Sequence, residues 1–472
     1  MTSETASLRS GTSIASARNF TDDTTAIPSL VNAEYDDETG FENTEHTEGL
    51  DKKNTSEDAE ASEIVLEKNQ LADIPNGGLV AWLQVSGSFF LFMNSWGISN
   101  TFGAFEAYYV ETNLSGKTAS DIAWIGSLQN FLLLMIGFIT GPMFDQGYFR
   151  SLIVVGTFMI TFGMMMVSLC TEYWQVMLAQ AIVVGLGSGC MFIPCVAVLP
   201  QYFTTKRILA TGIAASGSSL GGVLYPIIFH RLEPRLGFGW ATRVIGFIMF
   251  GTQLWVLSVM RLRALPSTGP RKLFDASALR EPPFVALSIA VFFGFIGVYV
   301  PFYYIQQYAI TKGIFERSTA FYLLPILNAA SIFGRIIPNF LADKVGPMNI
   351  LTPFGLIAAV IAFSWMAVTT KSGLICIAVF YGFFSGTFVS LPPSCIIAVT
   401  PHLGVLGTRM GMVFAFCSLG LLIGTPVAGA ILDSAGGFNG TIVFCGVVVI
   451  LSSVLVFAAR LFKTGLHLRV RT

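Results

Sequence analysis

From about Leu79 to Leu461 the chain is a succession of roughly twelve apolar stretches, each about 20 residues or more, and the short connectors between them hold most of the charges. About 20 residues rising 1.5 Å each cover the roughly 30 Å hydrocarbon core of a bilayer. The approximate spans are 79 to 110, 121 to 141, 151 to 170, 174 to 196, 208 to 229, 240 to 261, 284 to 310, 318 to 341, 349 to 369, 372 to 397, 408 to 431 and 440 to 461. The pattern predicts an all-α polytopic membrane protein with the lipid bilayer as its main partner.

The longest internal connector, 263–283, carries five prolines and glycines, Pro266, Gly269, Pro270, Pro282 and Pro283, and divides the spans six plus six. Halves of nearly equal length suggest a duplicated six-helix unit with a substrate path between the copies. The expected organisation is an acidic tail over 1–78, six-helix bundles over 79–262 and 284–462 joined by the 263–283 linker, and a short tail over 463–472.

Charge sharpens this picture. The formal net charge of -1 conceals a tail with 17 acids against 5 bases and a remainder with 11 acids against 22 bases. Such a tail cannot bury enough apolar surface to offset the entropy of ordering, and is expected to be disordered. It lacks the apolar core of a signal peptide, so the first span is expected to direct insertion. In the short loops, fourteen Lys and Arg fall on one side and seven on the other, which places both termini in the cytosol. The sequons at Asn113 and Asn439 then face outward as glycosylation acceptors.

Several function classes drop out. The seven cysteines sit in or beside apolar stretches without metal-binding spacing, so no metal or cofactor is expected. No GxxxxGK loop occurs, and transport would draw on a solute or proton gradient. No nucleophile, base and orienting group stand at a plausible spacing for an enzyme. Nothing suggests a nucleic-acid partner.

One loop pattern occurs in both halves. Asp145 and Arg150 follow the second span, and Asp343 and Lys344 follow the eighth. An Asp at a helix end can cap a neighbouring helix start and pair with a cation, closing the cytoplasmic side in one conformation and releasing it in another. Either loop alone would read equally well as an ordinary turn with a solvated charge; their equivalent placement favours a gate.

Pro75-Asn76-Gly77-Gly78-Leu79-Val80-Ala81-Trp82 resembles the opening motif of the monocarboxylate porter family of the major facilitator superfamily, especially its fungal branch, with departures at Asn76 and Leu79. The segment from Tyr202 to Gly217 is similar to that family's fifth-helix signature, and the resemblance extends from Pro75 to the end. It implies twelve transmembrane helices in two six-helix bundles. Physically, Lys206 and Arg207 anchor a cytoplasmic helix end, while Gly217, Gly221 and Gly222 allow a second helix to come close.

Arg335 lies deep in the eighth span and shares a helical face with Ser331 and Asn328. A membrane arginine must face protein, water or a counter-charge. The resemblance implies a contact with a substrate anion, and an anchor for the gate near Asp343 is the equal alternative. Proton-coupled carboxylate carriers of the family have an Asp where Ser331 stands and a Lys where Asn100 stands. Their proton and anion machinery is therefore missing here, although protons stay open as a coupling ion.

The remaining cavity candidates are polar and mostly neutral, chiefly Asn100, Tyr303 and Gln307, with Asn94, Gln129, Asn130, Tyr299, Tyr304 and Gln306 beside them. Tyrosines offer broad apolar contact with a polar tip, which suits a larger organic substrate. The expected function is secondary active transport of a small organic molecule by alternating access, as an efflux pump for a fungal secondary metabolite. Import of a monocarboxylate or a vitamin such as riboflavin is the alternative, and a non-transporting sensor is a third reading. The plasma membrane is the first expectation for its location and the vacuolar membrane the second.

Overall fold

The computed structural model describes residues 74–114, 116–117, 119–263, 274–401, 403–434 and 438–465. Most of the acidic tail, the middle of the linker and the last seven residues lie outside the described residues. All described residues belong to one compact unit, Gln70–Thr472, and among them every regular element is a helix.

The α-helices of seven residues or more are, in the first half, α1 (Leu79–Asn100), α2 (Phe102–Tyr108), α3 (Ala119–Met135), α4 (Gly137–Asp145), α5 (Phe149–Val167), α6 (Gly185–Ala197, continuing the π-helix Met177–Val184) and α7 (Arg207–Val259). The second half has α8 (Pro282–Gly297), α9 (Val300–Thr311), α10 (Leu323–Val345), α11 (Pro347–Ser364), α12 (Lys371–Ser385), α13 (Pro392–Val399), α14 (Leu406–Ser434) and α15 (Phe438–Thr464). Local sequence sets several boundaries. Proline occupies the first turn of α8, α11 and α13, where its missing N–H costs nothing. Thr370 caps α12 by accepting from the Gly373 N–H at 3.2 Å. Gly346, at φ 104°, ends α10 in a conformation that few other residues adopt.

Ten described segments are long and apolar enough to cross a membrane. One of them, α7, runs for 53 residues, about twice the length a bilayer needs, and is broken by non-helical backbone at Gly237. The 22 residues of α1 also have the length of a crossing, although their polar positions keep that helix out of the ten. The connector expected between the fifth and sixth spans is thus helical almost throughout. Conversely, the seventh span is interrupted at Val298–Tyr299, and the tenth at Gly386 and Leu391.

Trp124, Trp174 and Trp240 are exposed beside turns at one end of the bundle, as suits side chains at a lipid–water boundary. Between helices, α1 packs on α7 and α8 on α15. The two halves meet along two seams, α10 on α7 and α3 and α4 on α14. These seams position everything that follows.

Candidate functional site

At one end of each seam an aspartate of one half caps a helix of the other. Asp145, the last residue of α4, accepts from the Gly407 N–H at 3.0 Å, the Thr408 N–H at 2.7 Å and the Thr408 hydroxyl at 2.9 Å. Asp343, near the end of α10, accepts from the N–H groups of Ile208 and Leu209, both at 2.9 Å. The first N–H groups of a helix have no partner within it and carry the positive end of its dipole, so a carboxylate is favoured there. Of the basic residues that accompany the aspartates in sequence, Arg150 is exposed and Lys344 places its Nζ 4.6 Å from the Phe340 ring centre. Backbone N–H groups thus bind both carboxylates across the seam, joined at Asp145 by the Thr408 hydroxyl.

Further along the α10–α7 seam, Arg335 is buried at 1 % exposure. Its Nε donates to the Ser331 hydroxyl at 3.2 Å, and its Nη1 donates to the Ala215 carbonyl at 2.7 Å and to the Ser218 hydroxyl. One turn on, Asn339 donates to the Ile208 carbonyl at 3.0 Å and accepts from Ser390 at 2.9 Å. Asn328 gives its amide to Leu324 in its own helix, while its buried Oδ1 has no partner. That oxygen faces Gly222, as does Asn100, whose amide reaches the Ser218 carbonyl at 3.5 Å. Asn100, Asn328 and Arg335 therefore converge on one stretch of α7, with Ser331 supporting Arg335.

Tyr303 lies on a different contact, accepting from the Asn130 amide of the opposite half at 2.9 Å. Gln307, one turn further along α9, is exposed.

The wall beside Arg335 is aromatic, a feature that sequence reasoning missed apart from Tyr299. Tyr299, within electrostatic reach of Arg335, stacks on Trp96 of the opposite half with centroids 5.9 Å apart and planes 8° from parallel. Trp96 meets Phe192 edge-on at 5.8 Å, and Phe192 meets Phe414 at 4.9 Å. The indole N–H of Trp96, the hydroxyl of Tyr299, and the amide oxygens of Asn130 and Asn328 are all buried without a hydrogen-bond partner. Native interiors rarely leave such groups unmatched, and those of Trp96 and Tyr299 lie on one stacked pair between the halves, where a ligand can bond.

Two residues not singled out in sequence, Glu106 and Arg409, and one unforeseen contact, that of Asn76, complete the site. Glu106 of α2 lies within electrostatic reach of Tyr303 and Tyr304, and Asp433 also reaches Tyr304. Arg409, in the first turn of α14 beside the Asp145 cap, is buried. It binds Asp275 at 2.8 Å and Glu281 through two nitrogens at 2.9 and 2.6 Å, joining the linker's end to the capped helix. Asn76, at φ 50°, accepts from the N–H groups of Thr204 and Thr205 at 3.1 and 3.0 Å, so the two motif segments meet directly. Of the sequons, Asn113 closes a π-helical turn and Asn439 is exposed in the first turn of α15.

Residues 86–404 match the profile of the Major Facilitator Superfamily. The chain belongs to that superfamily. As a member it is a multi-pass membrane transporter, and its fold is that of known facilitators. A variant of the fucose:proton symporter FucP of E. coli has a TM-score of 0.63 at 16% identity, covering 81% of this chain and 98% of that one. The human organic anion transporter MFSD10 also has a TM-score of 0.63, at 14% identity and with 80% and 98% covered.

Among fungal members, the MFS-type transporter dbaD of Emericella nidulans is 50% identical over 78% of this chain and 82% of its own length. The aspyridones efflux protein apdF of the same species is 39% identical, covering 82% of this chain and 79% of that protein. The agnestins efflux protein AgnL12 of Paecilomyces divaricatus is 38% identical, with 82% and 89% covered.

Proposed function

We propose that this facilitator exports a fungal secondary metabolite by alternating access, and that it belongs to the monocarboxylate porter branch. The observation that carries the reading is the aromatic wall beside Arg335, where the indole N–H of Trp96 and the hydroxyl of Tyr299 are buried and unmatched. Such a site offers dispersion to a flat organic skeleton, a few directional bonds to its oxygens and one guanidinium to an acidic group. Two relatives at 39% and 38% identity are named for efflux of aspyridones and agnestins, which supports export of comparable molecules.

In this reading Arg335, Ser331, Asn328, Asn100, Tyr303 and Gln307 contact substrate at different stages of the cycle. Asp145 and Asp343 serve as gates, with Arg150 and Lys344 beside them. The protein is a carrier and not an enzyme. It sits in the plasma membrane with both termini cytosolic and outward sequons at Asn113 and Asn439, its acidic tail leading into two six-helix bundles over 79–262 and 284–462. Protons are the coupling ion; Ser331 carries no charge, so Glu106 is the acid placed to take one up.

The test compares metabolites inside and outside cells of a strain lacking the gene with those of its parent. Export predicts that one or more aromatic or acidic metabolites accumulate inside and fall outside, restored by the wild-type gene. Unchanged metabolite distribution, together with lost uptake of supplied riboflavin or monocarboxylate, would replace export with import.

A further inference from the structure

At the end of the bundle where Asp343 meets α7, a cavity of about 460 Å³ lies between the halves. Thr204, Thr205 and Arg207 line it from one half, and Asp343, Ala398 and Lys463 from the other. Its charges are poorly matched from within. Arg207 and Lys463 are close enough for their like charges to oppose one another. Asp343, the lining carboxylate, attracts Arg207 but has both oxygens committed to the N–H groups of Ile208 and Leu209. The Nε of Arg207 is buried without a hydrogen-bond partner. Lys463 donates to the Ala398 carbonyl, and no carboxylate pairs with it among the described residues. The threonine wall is fixed in advance, because Asn76 holds both of its backbone N–H groups and the Thr205 hydroxyl.

We propose that this cavity binds a phosphate group, held between the guanidinium of Arg207 and the ammonium of Lys463. A phosphate oxygen accepts the unmatched Nε–H, and the anion's charge removes the repulsion between two cations that the fold brings together. The group can come from an anionic phospholipid headgroup of the adjoining leaflet or from free phosphate. Arg207 and Lys463 belong to different halves, so an anion between them ties this end shut. By linkage it binds the conformation described above more tightly than one in which this end has opened. Nothing in this inference depends on which molecule the protein carries.

Thermal unfolding of the purified full-length protein in a neutral detergent tests it. One arm compares sodium phosphate with sodium chloride at equal ionic strength, and the other compares micelles containing phosphatidylinositol 4-phosphate with micelles containing phosphatidylcholine. The unfolding temperature should rise by several degrees with the phosphate-bearing ligand and stay flat in the Arg207→Gln/Lys463→Gln double variant. A rise in both arms identifies free phosphate as sufficient, and a rise in the lipid arm alone identifies the headgroup. Should the double variant not yield folded protein, Lys463→Gln alone, at an exposed position, should move the titration midpoint at least about tenfold. No rise in either arm, or an equal rise in the wild type and the variants, overturns the assignment.

Discussion

Where α4 meets α14, backbone lies against backbone. A Cβ built on Gly141 would stand 2.2 Å from the Gly407 carbonyl, and one on Gly411 2.2 Å from that of Gly137. On the corresponding seam α7 also comes close, a Cβ on Gly212 falling 2.4 Å from the Arg335 carbonyl, but α10 has side chains where α4 has glycines. With the two aspartates 198 positions apart, Gly137 corresponds to Arg335 and Gly141 to Asn339. One seam therefore holds by close approach and a single cap, while the other adds directional bonds from Arg335 to Ala215 and Ser218 and from Asn339 to Ile208. Parting the glycine seam frees the Asp145 carboxylate at its end and no charge further along it. Parting the polar seam leaves a guanidinium in the membrane interior, which water or substrate must then satisfy. The two halves share an aspartate cap, but the α10–α7 seam adds buried side-chain donors from Arg335 and Asn339.

The largest expected effect follows from filling the glycine seam. Gly411→Leu should reduce transport to background with normal amounts of protein in the membrane, because no rotamer avoids the Gly137 backbone. Near-normal turnover in that variant would show that this seam need not close, and the comparison would fail.

Arg335 comes next. Arg335→Gln should lower transport of anionic substrates by about tenfold or more while leaving neutral analogues and surface expression nearly unchanged. Arg335→Lys should rescue only part of this, since an ammonium lacks the planar fork of guanidinium. Equal loss for every substrate would confine Arg335 to holding the seam, and wild-type activity toward anions in Arg335→Gln would end its assignment as a substrate contact.

The caps sharpen the contrast further. Asp145→Asn and Asp343→Asn each remove a charge from a helix start, worth about 1 kcal/mol or roughly fivefold in the balance between open and closed states. Labelling of a reporter cysteine inside this end should rise more for Asp145→Asn, because the polar seam keeps its other bonds when Asp343 loses its charge. Equal labelling would mean that the two seams are energetically alike.

The smallest effect concerns the linker. Burial alone would raise the Asp275 carboxyl, but hydrogen bonds from Ser277 and Arg409 and the charge of Arg409 outweigh it and hold the group below the usual carboxylate range. A lowered folded value means that the stabilisation is complete above the ordinary carboxylate range and is lost as pH falls through the folded value. Asp275→Asn should thus unfold slightly earlier than the wild type at neutral pH, with the two curves converging in acid.

The spans, the matched aspartates and the buried arginine were legible because each breaks an apolar pattern at a position that duplication makes comparable. The close approach at Gly217 and Gly221 was legible too: a Cβ on either would fall 2.0 or 2.7 Å from the carbonyl of Phe89 or Met93. The partners were not legible. Nothing in the linker marks Asp275 and Glu281 as belonging to Arg409, 134 and 128 positions away. Apolar periodicity also gives no reason to single out Trp96 and Phe192 from the many lipid-facing rings, since only the packing of one half on the other turns them inward. The helical turn through 230–236 was hidden by its charges, which read as a loop. Comparing the sequence with itself at an offset of 198 would have set Arg335 beside Gly137 and exposed the asymmetry between the seams.

Asn76 has a mechanical consequence. Its side chain clasps Thr204 and Thr205, only a few positions ahead of the α7 residues that Asp343 caps. A load applied to the chain ahead of Pro75 therefore does not end at the start of α1. It passes through the clasp into the threonines and from there toward the helix start that Asp343 caps.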